Sequence, residues 1–142
     1  MHRLIIALLA SSAACASPVF YTQWEIKDIP ECGLSVSTTG RINLDNEHGQ
    51  EPVTFRYYDL GTPPTIKLVS YNLVNATASS DNILLGTLPN SGQAQPINSW
   101  IGLPHQLERD NTPNHFHTWL TGNYQLSVGE VELKARWEIE CY

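Results

Sequence analysis

The sequence predicts an all-β fold: a single-domain antiparallel β-sandwich or barrel clasped by one disulfide. Three observations carry that prediction. At the end of the chain, Val131, Leu133, Ala135, Trp137, Ile139 and Cys141 alternate with Glu130, Glu132, Lys134, Arg136, Glu138, Glu140 and Tyr142. A period of two, with one apolar and one charged register, is the signature of a half-buried strand. A matching phrase lies near the other end, where Trp24-Glu25-Ile26 echoes Trp137-Glu138-Ile139, and each phrase is followed by a cysteine, Cys32 and Cys141. Between them the chain is punctuated by Pro and Gly with no 3.6-residue apolar period, which suits short strands packed as a sandwich or barrel.

The first sixteen residues stand apart from this pattern. His2 and Arg3 give a weakly basic start, Leu4 to Ala10 an apolar run, and Ala14-Cys15-Ala16 a small-x-small cleavage site. Residues 1–16 therefore read as a secretory signal peptide, with an apolar run too short to span a bilayer, and residues 17–142 as one secreted, extracellular domain. The competing reading is a bacterial lipoprotein lipidated at Cys15, although Ser12 stands where such sites usually carry Leu. No later stretch approaches a membrane-spanning run. Losing Arg3 with the leader moves the net charge from −6 to about −7. That balance argues against unassisted binding to nucleic-acid phosphates or anionic membranes, so neither is an expected partner.

With Cys15 removed, Cys32 and Cys141 are the remaining cysteines of the chain. A pair in an oxidising compartment reads as a disulfide, and its connectivity has one option. The closed loop holds about a hundred residues, for which the chain-entropy relation gives about 4–5 kcal/mol.

Taken in order, Phe20, Thr22, Trp24 and Ile26 share one register of a first strand, ended by Pro30 and Gly33. Leu34 to Leu44, with Gly40 in the middle, predicts a bent strand or two short ones. After the polar turn Asp45 to Gln50, Val53, Phe55 and Tyr57 alternate with polar neighbours in a third strand. Thr65 to Val74 is apolar in both registers, which predicts an inner strand covered on both faces. Asn75-Ala76-Thr77 is a glycosylation sequon in a small polar turn. Ile83 to Leu88 is a short strand. Pro89 to Asn114 is the longest irregular segment, with Trp100-Ile101 as its anchor in the core; long loops of this kind often carry function. His115 to Thr121 and Tyr124 to Val128 flank Gly122-Asn123, a hairpin signal. The apolar register is even through Val128 and odd from Val131, which places a bulge or corner at Gly129.

The candidate chemistry centres on His115-Phe116-His117-Thr118-Trp119. Histidines at i and i+2 on a strand point to one side, which suits a metal or an acid–base pair, with His105, Glu108 or Asp110 as a further ligand from the preceding loop. No H-E-x-x-H or cysteine ligand spacing accompanies them, so no metal and no cofactor is assigned. Trp100 and Trp119 could form a sugar-stacking platform. The competing registers of this strand place either His115, His117 and Trp119 outward or Trp119 inward with Phe116 exposed. Tryptophan's larger apolar area favours the second. The carboxylates of the last strand lie in the solvent register with Lys134 and Arg136 between them, as on a face that discourages foreign pairing. No nucleophile elbow, phosphate loop or dinucleotide signature is present, and no catalytic residue is assigned.

The opening, with Ala16-Ser17-Pro18, then Trp24-Glu25-Ile26-Lys27-Asp28-Ile29 and Cys32 close behind, resembles small secreted fungal proteins of the major-allergen-like β-barrel family. The resemblance covers the N-terminal part, and that family usually carries more cysteines. It implies a secreted, non-catalytic β protein acting at a host or cell surface. A second likeness is to effectors of plant-infecting fungi with a ribonuclease-like fold and a disulfide joining the chain ends. A third is to bacterial fimbrial subunits, whose last strand alternates and ends near a tyrosine, as Tyr142 does here. The leading reading is thus a secreted effector-like or allergen-like interaction protein with a protein or glycan partner. A carbohydrate-binding module using Trp100 and Trp119 is the alternative, and a secreted hydrolase or ribonuclease-like effector the third.

Non-reducing peptide mapping of the secreted protein is expected to recover one cross-linked Cys32–Cys141 peptide. Cys32→Ser should lower the unfolding midpoint substantially.

Overall fold

The computed structural model describes residues 20–27, 33–58, 61–108 and 114–142. Residues 1–19, Cys32 and Asp110 lie outside them. The described strands are β1 (Phe20–Lys27), β2 (Leu34–Ser37), β3 (Thr39–Leu44), β4 (Val53–Tyr57), β5 (Thr65–Val74) and β6 (Ala76–Ala78). They continue with β7 (Ile83–Gly86), β8 (Gln95–Pro96), β9 (Pro104–Gln106), β10 (Asn114–Leu120), β11 (Tyr124–Leu126) and β12 (Val131–Glu140). Three short 3₁₀ turns are the only helical turns among the described residues. The described residues are all-β, as the period-two alternation and the absence of a helical period predict.

The sheet differs from the expected antiparallel sandwich or barrel in two ways. It is mixed: β1 runs parallel to β12, and β3 parallel to β10. It is also open, running β2-β4-β10-β3-β1-β12-β5-β9, with β7 and β8 added beside β10 and a separate β6–β11 pair. Parallel neighbours need a long connection between them, and nearly the whole domain lies between β1 and β12. The two Trp-Glu-Ile phrases are therefore neighbours in space, oriented the same way.

The β1–β12 ladder runs unbroken from Phe20 opposite Val131 to Lys27 opposite Glu138. It sets Trp24 opposite Ala135 and Ile26 opposite Trp137. Ala135 is small enough to leave room over itself, and the Trp24 and Trp137 rings stack with centroids 4.4 Å apart. Phe116 of β10 lies 5.3 Å from Trp24, and Phe55 of β4 meets Phe116 edge-on at 5.6 Å. These four rings come from β4, β10, β1 and β12, strands spread along the sheet order, so the open sheet folds over a shared core. Offset and edge-to-face pairs of this kind add to the burial energy of the rings. On the outer face Arg136 of β12 reaches Glu25 of β1 at 3.3 Å, an exposed cross-strand pair of small energetic weight.

Local readings fared unevenly. Leu34 to Leu44 does split into two short strands, β2 and β3. At Gly40 an added Cβ would stand 2.7 Å from the Glu51 carbonyl oxygen, so the residue there must be glycine for the chain to pass. β5 is not covered on both faces. Its register against β12 slips between Arg136 and Trp137, leaving Val69 unpaired and 37% exposed. The apolar residues on either side, Ile66 and Leu68 before and Tyr71 and Leu73 after, occupy one face because the extra residue resets the alternation. The double register reported a bulge.

The hairpin at Gly122-Asn123 does not form. β11 pairs with β6, while β7 occupies the β10 edge, setting Ile83 opposite Leu120. The Thr121 amide then donates to Asn82, and Gly122, at φ 69°, turns the chain off the sheet against the Asn82 side chain. Turn chemistry bent the backbone as predicted, but a competing strand held the edge. Leu126 and Val128 are consequently exposed. The corner at Gly129 is present, with φ 116°. In the irregular segment Trp100 does anchor, its Nε1–H donating to the Leu85 carbonyl at 3.0 Å. Ile101 instead remains 41% exposed.

Filling the space opposite Trp24 should be costly: Ala135→Leu is expected to destabilise the fold by about 1–3 kcal/mol in denaturant titration. A conservative Ile139→Val at the half-buried end of the same strand should cost less.

Candidate functional site

β10 carries the candidate site, and its position explains why both of its registers are buried. Phe116, Thr118 and Leu120 are about 1% exposed on one side. On the other, His117 is 6% exposed and Trp119 fully buried. Trp119 is buried, as the favoured register predicts; the accompanying expectation that Phe116 faces solvent is corrected, since Phe116 is buried too. The first face sits on the ring cluster. The second is roofed by the segment Asp45–Glu51, which crosses it as a strap.

The strap is held at both ends and in the middle. Asn43 of β3 clamps Gln50 through its amide, donating to the Gln50 carbonyl at 3.4 Å and accepting from the Gln50 N–H at 3.1 Å. Glu47 Oε1 accepts the Leu44 N–H at 2.5 Å. The Trp119 indole N–H donates to the Glu47 carbonyl at 2.8 Å, and the Gly49 N–H to the Pro89 carbonyl at 2.8 Å. Asp45 and Glu51 bracket the strap in the left-handed region, at φ 45° and 47°. Such a conformation costs roughly 1–2 kcal/mol for a residue with a side chain.

Beside the strap a cleft of about 560 Å³ opens between β9, the start of β10 and the turn after β7. His105, Gln106 and Glu108 form one wall, and Asn114, His115, Phe116 and His117 the other. Pro52, Leu88 and Pro89 supply an apolar rim, with Leu88 49% exposed. Asn114 fixes the shape: its side chain accepts the Glu108 N–H at 2.6 Å and donates to the Glu108 carbonyl at 3.2 Å.

Three of the histidines singled out in the sequence thus line the same cleft. His115 Nδ1 lies 3.0 Å from the Thr54 hydroxyl, which fixes its ring. The His115 and His117 rings are 6.1 Å apart, and His117 is 5.9 Å from Trp119. His117 Nδ1 is buried with no hydrogen-bond partner, directly under Gly49. Burial, then positive charge on His115 and His48, pushes its pKa down to about 4. His105 packs against Trp100 and edge-on to Phe116. Burial lowers its pKa, against the opposing pull of Glu108. The imidazoles are nevertheless spread along the wall: among the described residues no three His, Cys, Asp or Glu side chains converge as a metal would need.

The aromatic candidates are placed differently. Trp119 presents no ring face to solvent, and Trp100 is half-buried with its indole N–H engaged, so the pair does not form an open stacking platform. Asn75 sits at a sharp corner, φ 63°, between β5 and β6, where its Nδ2 donates to the Glu130 carbonyl at 2.7 Å. His48, Gly49 and Thr54 belong to the site but read in sequence as turn and strand residues, with no local signal to mark them. Comparison with protein-family models, curated proteins and solved structures finds no match for this chain.

The low folded pKa of His117 has a stability consequence. Above the ordinary value of 6.5 the ring is neutral in both states, and nothing changes. Between 6.5 and about 4 the unfolded chain binds a proton that the fold refuses, so stability should fall as pH falls. Thermal unfolding measured across that window should show a shallower decline in His117→Gln than in the parent.

Proposed function

We propose that this chain is a secreted, non-catalytic interaction protein, effector-like or allergen-like, which takes its partner at a host or cell surface through the β9–β10 cleft. The observation that carries this reading is the chemistry of the cleft walls. Among the described residues, the His105, His115 and His117 rings, the Gln106 amide and the Glu108 carboxylate line an interior whose rim is Pro52, Leu88 and Pro89, with no Lys or Arg in the lining. Such a surface suits an uncharged polar group flanked by apolar contacts, and it discourages phosphates. The leader-like first sixteen residues and the acidic balance support an extracellular setting.

The disulfide clasp belongs to this reading. The parallel β1–β12 ladder carries both strands toward the same end of the sheet. Cys141 follows directly on β12, and Gly33, next to Cys32, is hydrogen-bonded to Tyr58 beside β4. A clasp there would suit life outside the cell. A glycan on Asn75 is compatible with the same setting, since glycosylation replaces one amide hydrogen and leaves one for Glu130.

The contact between the Thr54 hydroxyl and His115 favours one further reading, a secreted hydrolase with Thr54 as nucleophile. Binding to surface-protein extracts and to a glycan array should separate the possibilities. The parent is expected to retain a protein or glycan that Leu88→Asp and Gln106→Arg release at least tenfold more readily, with melting temperature unchanged. Unchanged retention in both rim variants would remove the cleft from the reading. Hydrolytic turnover lost in Thr54→Val would replace binding with catalysis.

A further inference from the structure

The strap over β10 is built around a group that it cannot accommodate in charged form. Gly49 is buried against His117, so closely that a Cβ on Gly49 would stand 2.6 Å from the imidazole Nδ1 and 3.1 Å from Pro89 Cα. That nitrogen has neither water access nor a hydrogen-bond partner. The titratable and charged groups around it offer no relief. On β10 its neighbour is His115, whose ring is already bonded to Thr54. On the strap, His48 adds a second base whose charge would repel it. Glu47 is committed elsewhere, its carboxylate on the Leu44 N–H and 3.8 Å from Arg41. The segment Thr87 to Pro89 brings no ionisable group, and across the cleft the Glu108 carboxylate acts on His105. Once protonated at either nitrogen, the ring would be a buried cation whose Nδ1–H has no acceptor, a costly arrangement unless the cover moves.

We propose that the Asp45–Glu51 segment is an acid-released lid: protonation of His117 lifts Gly49 off the imidazole, breaks the Gly49–Pro89 and Trp119–Glu47 hydrogen bonds, and uncovers Trp119. The geometry suits a local rather than a global opening. The two left-handed residues, Asp45 and Glu51, lie at the ends of the segment, where relaxing them favours release. What the opening breaks in the middle is two backbone-carbonyl contacts, whereas the aromatic core on the opposite face of β10 is untouched. The lowered basicity of His117 is the reciprocal of this coupling, since a closed lid that disfavours the proton must be disfavoured by it. Because His117 also lines the cleft, the lid would make partner binding there pH-dependent, a consequence that rests on the function proposed above; the lid itself is tested on the free protein.

The test is hydrogen exchange of the tryptophan indole N–H groups, followed by NMR on the full folded chain from pH 7 to pH 4 and expressed as protection factors. Trp119 should lose protection at least tenfold as the pH falls, while Trp137, buried in the core, keeps its own. His117→Gln should hold Trp119 protected throughout. Gly49→Ala, which pushes the lid away without acid, should leave Trp119 poorly protected already at pH 7. Equal loss at Trp119 and Trp137 would mean global unfolding and overturn the lid. So would loss of Trp119 protection at the same pH in His117→Gln, or a fully protected Trp119 in Gly49→Ala.

Discussion

The stack of Trp24 on Trp137 is the contact on which the rest of the structure depends. It requires the two ends of the chain to lie side by side in the same direction, in one register, with Ala135 rather than a larger residue opposite Trp24. Once that ladder is set, β3 joins β1 on one side and β5 joins β12 on the other. The rings of Phe55 and Phe116 complete the cluster from strands well removed in the sheet order. Nearly all of this is long-range contact, which pays its loop-closure cost before it gains its burial. A disulfide near the chain ends would reduce that cost in the one place where it matters most.

The candidate site follows from where this arrangement leaves β10. A strand inside the sheet order, with the aromatic core below it, still needs something above its second face. The strap supplies that cover by hydrogen bonds from backbone and indole rather than by apolar packing, and it buries an imidazole in doing so. The cleft begins where the strap ends, at Pro52 and His115. The cleft and the strap therefore share a side chain: His117 is both a wall of the cleft and the floor of the strap.

Much of the strand inventory was legible because it depends on local alternation. The burial of β12 and of β1 around Trp24 and Thr22 follows their apolar registers residue by residue. The corner at Gly129 was legible from a change of phase, and the split at Gly40 from a glycine amid strand formers. The same reasoning misread β5, because a bulge and two-sided burial leave the same apolar pattern. It misread Gly122-Asn123 because turn residues specify how a chain bends and not which strand takes the edge beyond the bend. In the site, His105, His115 and His117 do line one cleft, but they do not converge as the metal reading required. The roles of Gly49 and Thr54 were not legible, since each acts through a partner about sixty or seventy residues away.

By itself, then, the sequence determined the longer strands, the apolar face of β1, β4 and β12, and where the backbone must turn, since these are set by neighbours within a few residues; it did not show β6, which was read as a turn, or β8 and β9, which lie in the segment read as irregular. The tertiary structure alone decided strand partners and direction: parallel at the chain ends, an open mixed sheet in place of an antiparallel closed one, and β7 rather than β11 beside β10. It also decided that both aromatics of β10 are buried and that His117 has no partner for Nδ1. The physical reason is competition. An edge or a face is claimed by whichever segment buries most at least cost, and that comparison exists only once all the segments are present.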